Sequence, residues 1–414
     1  MNLDWEILFF ILFILPVFGY AEIHYRFSGF PSLLHKKEPE ILFDLPHRIL
    51  WGQPVPLFLM LKDSHLYPVK LFQAEIEISP VHRRTTKQFK EFLNQDINQK
   101  FYRRTIPLSS ELFPEPGIYE ITAKLNYQNS LRQQKELIQD NYAAIPHPPF
   151  IIRVSKDPLP CDSNWHWGDL HVHTLYTRDQ VEFGASLEDT VIAAQACGLD
   201  FLAVTDHSYD LDDETDDYLQ NDIHLAKWKK LWEEVADLQK KYPDFVLIAG
   251  EEVSAGNQRD QNVHCLILND PEFYPGSGDS AEKLLHRKPE LSVEQLLSKR
   301  SENSIAIAAH PREKPPLSQK IMLNRGIWSR KDLENSRLNA IQIANDLHDS
   351  WFEETRNFWI QLLLSGRKIG IIAGNDSHGN FNCFRQISIP FLKMTYSRNH
   401  LLGQARTAVF APSN

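Results

Sequence analysis

Cysteine is scarce in this chain, and the glycine signatures of nucleotide chemistry are absent. Its 414 residues hold four cysteines, Cys161, Cys197, Cys265 and Cys383, far apart and without a Cys-x-x-Cys pair. A zinc ribbon or a disulfide framework therefore has no support. Isolated thiols fit a reducing compartment slightly better than an oxidising one. There is no G-x-S-x-G elbow, no Walker loop and no G-x-G-x-x-G opening a helix, which removes the serine-hydrolase, P-loop and dinucleotide readings. Positive charge is also in deficit: 44 Lys and Arg against 54 Asp and Glu give a net charge of −10. No global field would steer a nucleic-acid polymer or an anionic membrane surface towards the protein. A phosphate-bearing small molecule would have to be drawn in locally, by metal ions and a few Arg or Lys. No internal repeat of about 20–50 residues is present.

A hydrophobic content of 42% with 24% charged residues is that of a folded protein, and the length leaves room for two domains. At the amino terminus, residues 7–19 (ILFFILFILPVFG) are almost wholly apolar, and G-Y-A at 19–21 would pass as a cleavage site. The segment carries Asp4 and Glu6 rather than Lys or Arg, and it is short for a span of about 20 residues. Residues 1–21 thus read either as a signal or anchor, with membrane association through residues 5–21, or as a short apolar tail. A cytoplasmic and an exported protein are both compatible with this pattern.

Residues 22–155 look β-rich, with short or alternating apolar runs such as VPLFLMLKD, FQAEIEIS and IYEITAKLNY between turn residues. They predict an immunoglobulin-like accessory domain or similar sandwich. PEPGIYEITAKL reads as a turn leading into a half-buried strand. Two Pro-dense stretches, 143–150 and 157–164, bracket a boundary. From Trp165 strands alternate with helices, so that 160–414 forms the second unit. Strands are expected at 167–173, 199–205, 245–250, 263–268, 304–309, 338–343 and 368–374. Helices are expected at 187–197, with Ser186 as cap and Gly198 as stop, and at 223–241 and 350–365. Seven strands with helical crossovers predict an α/β fold, as a parallel barrel or doubly wound sheet.

Six of these apolar stretches carry ten side chains able to bind metal: His171 and His173, Asp206 and His207, Glu251 and Glu252, His264, His310, and Asp376 and His378. All but His264 fall at or just past the carboxyl end of a strand. In a barrel those ends converge on one face, which would bring the ten together and favours a barrel. In His171-Val172-His173, strand alternation puts both imidazoles on one side. Imidazole and carboxylate without thiolate suit Zn²⁺, Mn²⁺ or Fe²⁺. A carboxylate such as Glu252 can bridge two cations about 3.5–4 Å apart, which can share a hydroxide as nucleophile.

The pattern WGDLHVHT, GLDFLAVTDHS, GEEVS, NVH, AHP, NDSH resembles the PHP (polymerase and histidinol phosphatase) family, and is most similar to its carbaryl-hydrolase-type branch. The resemblance covers the carboxy-terminal part only. It implies a distorted seven-stranded β/α barrel with two or three divalent metals. His171, His173, Glu252 and Asp376 would hold one. Glu252 would bridge to a second on His264 and His310. A third would sit on His207 and His378, with Asp179 where the family often has His or Asp. Glu252 rather than Glu251 fits G-x-E, and Asp206 would be a ligand, a partner of one, or a catalytic group.

Blander readings stand beside these. His264, inside an apolar run, could be a core histidine, and Asp179 a solvated loop residue. The acidic stretch YDLDDETDDYLQND (209–222) reads as a solvated charge run, with a lid or cation site as the sharper alternative. Arg178, Arg312, Lys314 and Arg385 flank ligand motifs and could hold phosphate, Arg385 and Arg312 foremost. The expected function is a metal-dependent phosphoesterase acting on small phosphomonoesters or nucleotides. Alternatives are an ester, amide or carbamate hydrolase and a non-catalytic metal-binding envelope module. Oligomeric state is not readable from the sequence.

Overall fold

The computed structural model describes residues 38–82, 85–142, 145–160, 164–177, 184–215, 220–280, 287–347, 349–388 and 393–412. The apolar amino-terminal segment, Cys161, Arg178 and Asp179 lie outside them. Among the described residues no helix is long and apolar enough to cross a membrane.

The amino-terminal part is built of β1 (Glu40–Asp44), β2 (Arg48–Leu50), β3 (Val55–Lys62), β4 (Val69–Pro80), β5 (Lys87–Ile97), β6 (Phe101–Leu108), β7 (Gly117–Gln128), β8 (Gln134–Ile138) and β9 (Phe150–Ser155). One sheet runs β1-β3-β6; the other runs β2-β9-β7-β4-β5, with β8 also on β7. The PEPG turn opens β7, whose Tyr119, Ile121, Ala123, Leu125 and Tyr127 are buried in alternation. β3 breaks that pattern, because seven of its eight residues are buried. Leu57, Leu59 and Leu61 enter the core shared by the two sheets, while Phe58 and Met60 pack with residues of the carboxy-terminal part. The three-stranded sheet is therefore a middle layer, apolar on both faces.

The carboxy-terminal part is mixed α/β. Its elements are β10 (Trp165–His173), α1 (Leu187–Cys197), β11 (Phe201–Val204), α2 (Ser208–Leu211), α3 (Ala226–Lys241), β12 (Val246–Gly256), β13 (Asn262–Leu268), α4 (Val293–Lys299), β14 (Ile305–Ala308), α5 (Leu317–Met322), α6 (Arg330–Leu333), β15 (Ala340–Ala344), α7 (Phe352–Leu364), β16 (Gly370–Ala373), β17 (Ser377–His378), β18 (Phe384–Ser388), β19 (Lys393–Ser397) and β20 (Thr407–Phe410). Ser186 caps α1 by accepting from the Asp189 N–H, and Gly198 ends it in the left-handed region at φ 86°. All seven expected strands form, as β10 to β16, and the three expected helices as α1, α3 and α7.

The sheet order is β16-β15-β14-β13-β12-β11-β10-β17, with β20 antiparallel on β10. β16 and β17 are separated by only three residues, so one short stretch of chain supplies both ends of this order. The sheet is curled. Its interior holds Leu170, Phe201, Ala203, Leu266, Leu268, Ile307, Ala340 and Ile372, with Ile248 against them, so each strand from β10 to β16 contributes to one apolar cluster.

The expected all-parallel arrangement fails at one strand. β13 is antiparallel to both β12 and β14. Residues 257–261 link β12 to β13, closed by Asn257 N–H on Gln261 O at 2.9 Å, and so short a connection can only make a hairpin. The reversal explains the odd position of His264. Near the start of an antiparallel strand, paired with Ser254, it lies at the end of the sheet where the parallel strands finish.

The acidic stretch 209–222 is solvated only in part of its described residues: Glu214, Thr215, Gln220 and Asn221 are exposed. Asp210, Asp212, Asp213 and Asp222 are buried. Asp222 accepts from the His224 and Ala226 N–H groups at the start of α3, Asn221 donates to Asp212, and Lys227 pairs with Asp213 at 3.2 Å.

Candidate metal centre

Glu252 lies mid-way along β12 and is completely buried. Five imidazoles surround its carboxylate. His264 Nδ1 lies 2.8 Å from it, His207 Nδ1 3.0 Å, His171 Nε2 3.2 Å, and His173 Nε2 and His310 Nε2 3.4 Å each. Asp376 Oδ1 stands 3.1 Å from His173 Nε2 and 3.3 Å from His171 Nε2. His378 stacks on His173 with ring centroids 4.1 Å apart and planes 2° from parallel. Eight of the ten candidates are thus brought together.

Local backbone accounts for the placement. The β10 register shifts between Asp169 and Val172, a bulge that lets Leu170 and His171 share the inner side while Val172 packs outside with Leu202 and Val204. Gly374 passes close beneath; a Cβ there would lie 2.6 Å from the Cβ of His171. His310 and Asp376 both take left-handed backbone, at φ 26° and 50°. Such a conformation costs about 1–3 kcal/mol for a residue with a side chain and persists where the surroundings impose it.

A second ring of side chains fixes which nitrogen of each imidazole faces inward. Gln342 Oε1 can only accept, so His171 donates from Nδ1 at 3.0 Å and turns Nε2 to the centre. The same amide oxygen accepts from the His310 N–H at 3.1 Å. Asp279 Oδ2 takes His264 Nε2–H at 2.9 Å, leaving Nδ1 for Glu252. Thr177 Oγ lies 3.0 Å from His173 Nδ1, and His378 donates from Nδ1 to the Asp376 carbonyl at 3.0 Å. Asn345 Nδ2 donates to Asp376 Oδ2 at 3.2 Å.

Three overlapping sets of ligand atoms each lie within 4.8 Å of one another: His171, His173, Glu252 and Asp376; His207, Glu252 and His264; and His173, His207 and His378. The first is the expected quartet. In the second, His207 stands where His310 was expected, and His310 belongs to no set among the described residues. In the third, His173 joins His207 and His378.

These residues fit divalent cations. Among the described residues neither Glu252 oxygen accepts a hydrogen bond of good geometry, despite five nearby rings, so the buried carboxylate lacks a partner that a cation would provide. Burial alone would raise the Glu252 carboxyl, but His264 and His171 outweigh it and hold it well below the usual carboxylate range. Burial would lower His171, yet Asp376 and Glu252 push it up to about 9. The carboxylates thus draw positive charge into a buried space.

Three expected groups take other roles. Asp206 is fully buried, but Oδ1 accepts from the Thr174 and Thr177 N–H groups at 2.7 and 2.9 Å, and Oδ2 from Thr174 Oγ at 2.8 Å. Both oxygens accept from the loop that carries Thr177, and Asp206 belongs to none of the three ligand sets among the described residues. Arg385 is not at the centre; it donates to Asp140 at 2.8 Å and to the Phe43 carbonyl at 3.2 Å, in the amino-terminal sheets. Arg312 is engaged by Glu354 at 3.0 Å. Glu251, on the opposite strand face, accepts from the Tyr274 N–H at 3.0 Å.

Sequence reasoning missed Asp279, Gln342, Thr177 and Arg325. Arg325 Nε lies 3.1 Å from Asp279, and its Nη2 lies 2.5 Å from His264 Nε2 and 2.9 Å from Nδ1, so a guanidinium reaches the edge of the centre. Comparison with protein-family models and with curated proteins finds no match.

Proposed function

We propose that this chain is a metal-dependent hydrolase of PHP type, a phosphoesterase for small phosphomonoesters or nucleotides. The observation that carries the reading is Glu252, one buried carboxylate shared by five imidazoles from β10, β13 and the ends of β11 and β14. On this reading the curled sheet is the distorted seven-stranded barrel of that family. Residues 160–414 are then the hydrolase unit, and the amino-terminal sheets an immunoglobulin-like accessory domain.

Zn²⁺, Mn²⁺ or Fe²⁺ would be held by His171, His173, Glu252 and Asp376, by His207, Glu252 and His264, and by His173, His207 and His378. Bound there, such ions supply Lewis acidity and a water acidified to near neutral pH. The chain does the rest. Gln342, Asp279 and Thr177 hold the His171, His264 and His173 rings in place, and Leu170, Phe201 and their neighbours close the space below to water. Arg325 is held at Nε by Asp279, while its Nη2 lies against the His264 ring, nearer Nε2 than Nδ1. The guanidinium is then left with donors for an anionic oxygen, which it binds in bidentate fashion. That favours a phosphate over a neutral ester.

The test is p-nitrophenol release from p-nitrophenyl phosphate and p-nitrophenyl acetate, with Mn²⁺ or Zn²⁺ and with chelator. Chelator-sensitive turnover of the phosphate is expected. Turnover of the acetate alone would make the protein a carbon-ester, amide or carbamate hydrolase. Silence of the metal-loaded protein on both would favour a non-catalytic metal-binding module.

A further inference from the structure

The chain that follows Asp376 and His378 does not stay with the curled sheet. Over residues 379–385 it crosses to the amino-terminal sheets and is built into them. Phe381 N–H donates to Asp44 Oδ2 at 3.2 Å, and its ring lies 5.1 Å from that of Phe58. Asn382, fully buried, pairs both ways with Ile151: Ile151 N–H donates to Oδ1 at 3.1 Å, and Nδ2–H donates to the Ile151 carbonyl at 2.9 Å. Cys383 belongs to the apolar core of β3, β4 and β7. Arg385 donates to Asp140 and the Phe43 carbonyl.

We infer that the amino-terminal sheets are a working part of the metal centre: through Asn382 and Arg385 they set where Asp376 and His378 stand. Metal ligands tolerate displacements of only about 0.2 Å, and Asp376 is held in left-handed backbone that its surroundings must impose. From the curled sheet that loop is tied by Asp376 N–H on His171 O at 2.8 Å and by Asn375 on Asp169. The opposite tie comes from Ile151, Asp44 and Asp140. Asn382 and Arg385 are accordingly positioning residues. The inference rests on the metal reading above.

The test is a Co²⁺ titration of the full chain, read from the visible absorption that reports ligand number and geometry. Asn382→Ala should weaken Co²⁺ binding at least tenfold and alter the absorption bands; Arg385→Lys, which keeps the charge and loses the fork, serves if the first variant does not fold. Leu93→Ala, a core truncation on edge strand β5 away from this loop, should keep the wild-type spectrum and affinity. Wild-type affinity and spectrum in Asn382→Ala or Arg385→Lys would overturn the inference, as would an equal loss in Leu93→Ala. A wild-type protein that takes up no Co²⁺ would overturn the metal reading itself, and this inference with it.

Discussion

Asp279 holds His264 from behind: its Oδ2 accepts the Nε2–H at 2.9 Å while the opposite ring nitrogen, Nδ1, stands 2.8 Å from Glu252. A carboxylate behind a histidine fixes the ring and raises the basicity of the inward nitrogen, and removing such a partner typically costs 10–100-fold in metal affinity. Asp279→Asn keeps the shape and loses the charge. It should weaken metal binding by about that factor, measured by competitive chelator titration, and should lower the stability of the metal-free protein as well, because His264 and Arg325 lose their shared carboxylate. Unaltered affinity would remove Asp279 from the centre.

Glu251 and Glu252 are neighbours with opposite fates. Burial pushes the Glu251 carboxyl well above the usual range, with only the Tyr274 N–H opposing it among the larger influences. A neutral amide of the same shape should therefore replace it at little cost. Glu251→Gln is expected to retain full metal content and a melting temperature within a few degrees of wild type. Glu252→Gln should lose most of the bound metal, because a carboxylate shared by five imidazoles becomes a neutral group with an N–H₂ facing them. Metal analysis of the two purified variants checks both, and equal metal content would refute the assignment of Glu252.

Arg325 replaces Arg385 as the expected phosphate contact. A charge-assisted hydrogen bond is worth about 1.5–3 kcal/mol, so Arg325→Ala should lower kcat/KM for p-nitrophenyl phosphate roughly 10–100-fold. Activity towards p-nitrophenyl acetate and metal content should stay close to wild type. An equal loss on both substrates would show that Arg325 supports the centre rather than the phosphate. Arg385→Ala behaves differently, since it strands Asp140 and Asp44 in a buried site. A loss of about 3–5 kcal/mol of stability is expected there.

These contrasts show what could be read from the chain. The seven strands β10 to β16 were legible because each is a short apolar run between turn residues, and most of them carry candidate ligands on the strand or just past it. His264 was harder to place. Its strand looks like the others, and only the five-residue connection before it, too short for a crossover, betrays the reversal that brings it to the site. Gln342, Asp279 and Arg325 were not legible at all. Each acts through partners far off in sequence, and nothing periodic in their surroundings marks it. Arg385 was misread because nearness in sequence to Asp376 and His378 stood in for nearness in space. Between Phe381 and Cys383 the chain passes into the other core, which no local pattern announces. The burial of Asp213 escaped for a similar reason, because its pairing with Lys227 is a tertiary fact.

His47 gives a pH signature on the amino-terminal side. Its Nε2–H donates to the Leu402 carbonyl at 3.2 Å, between β1 and β2 on one side and the end of the curled sheet on the other. Burial, then the charges of Arg406, Arg398 and Arg48, pushes its pKa down from 6.5 to about 3. Below pH 6.5 the unfolded chain takes up a proton at this position that the folded chain refuses until about pH 3. The contribution of neutral His47 to stability is thus complete above pH 6.5 and is lost as the pH falls through that window, at no more than about 1.4 kcal/mol per pH unit. His47→Gln preserves the donor to Leu402 and does not titrate. In urea unfolding of the metal-free proteins at pH 7 and pH 5, the wild type should lose up to about 2 kcal/mol more than the variant between the two conditions. Equal losses would mean that His47 charges freely in the folded protein, and that the three arginines do not face it.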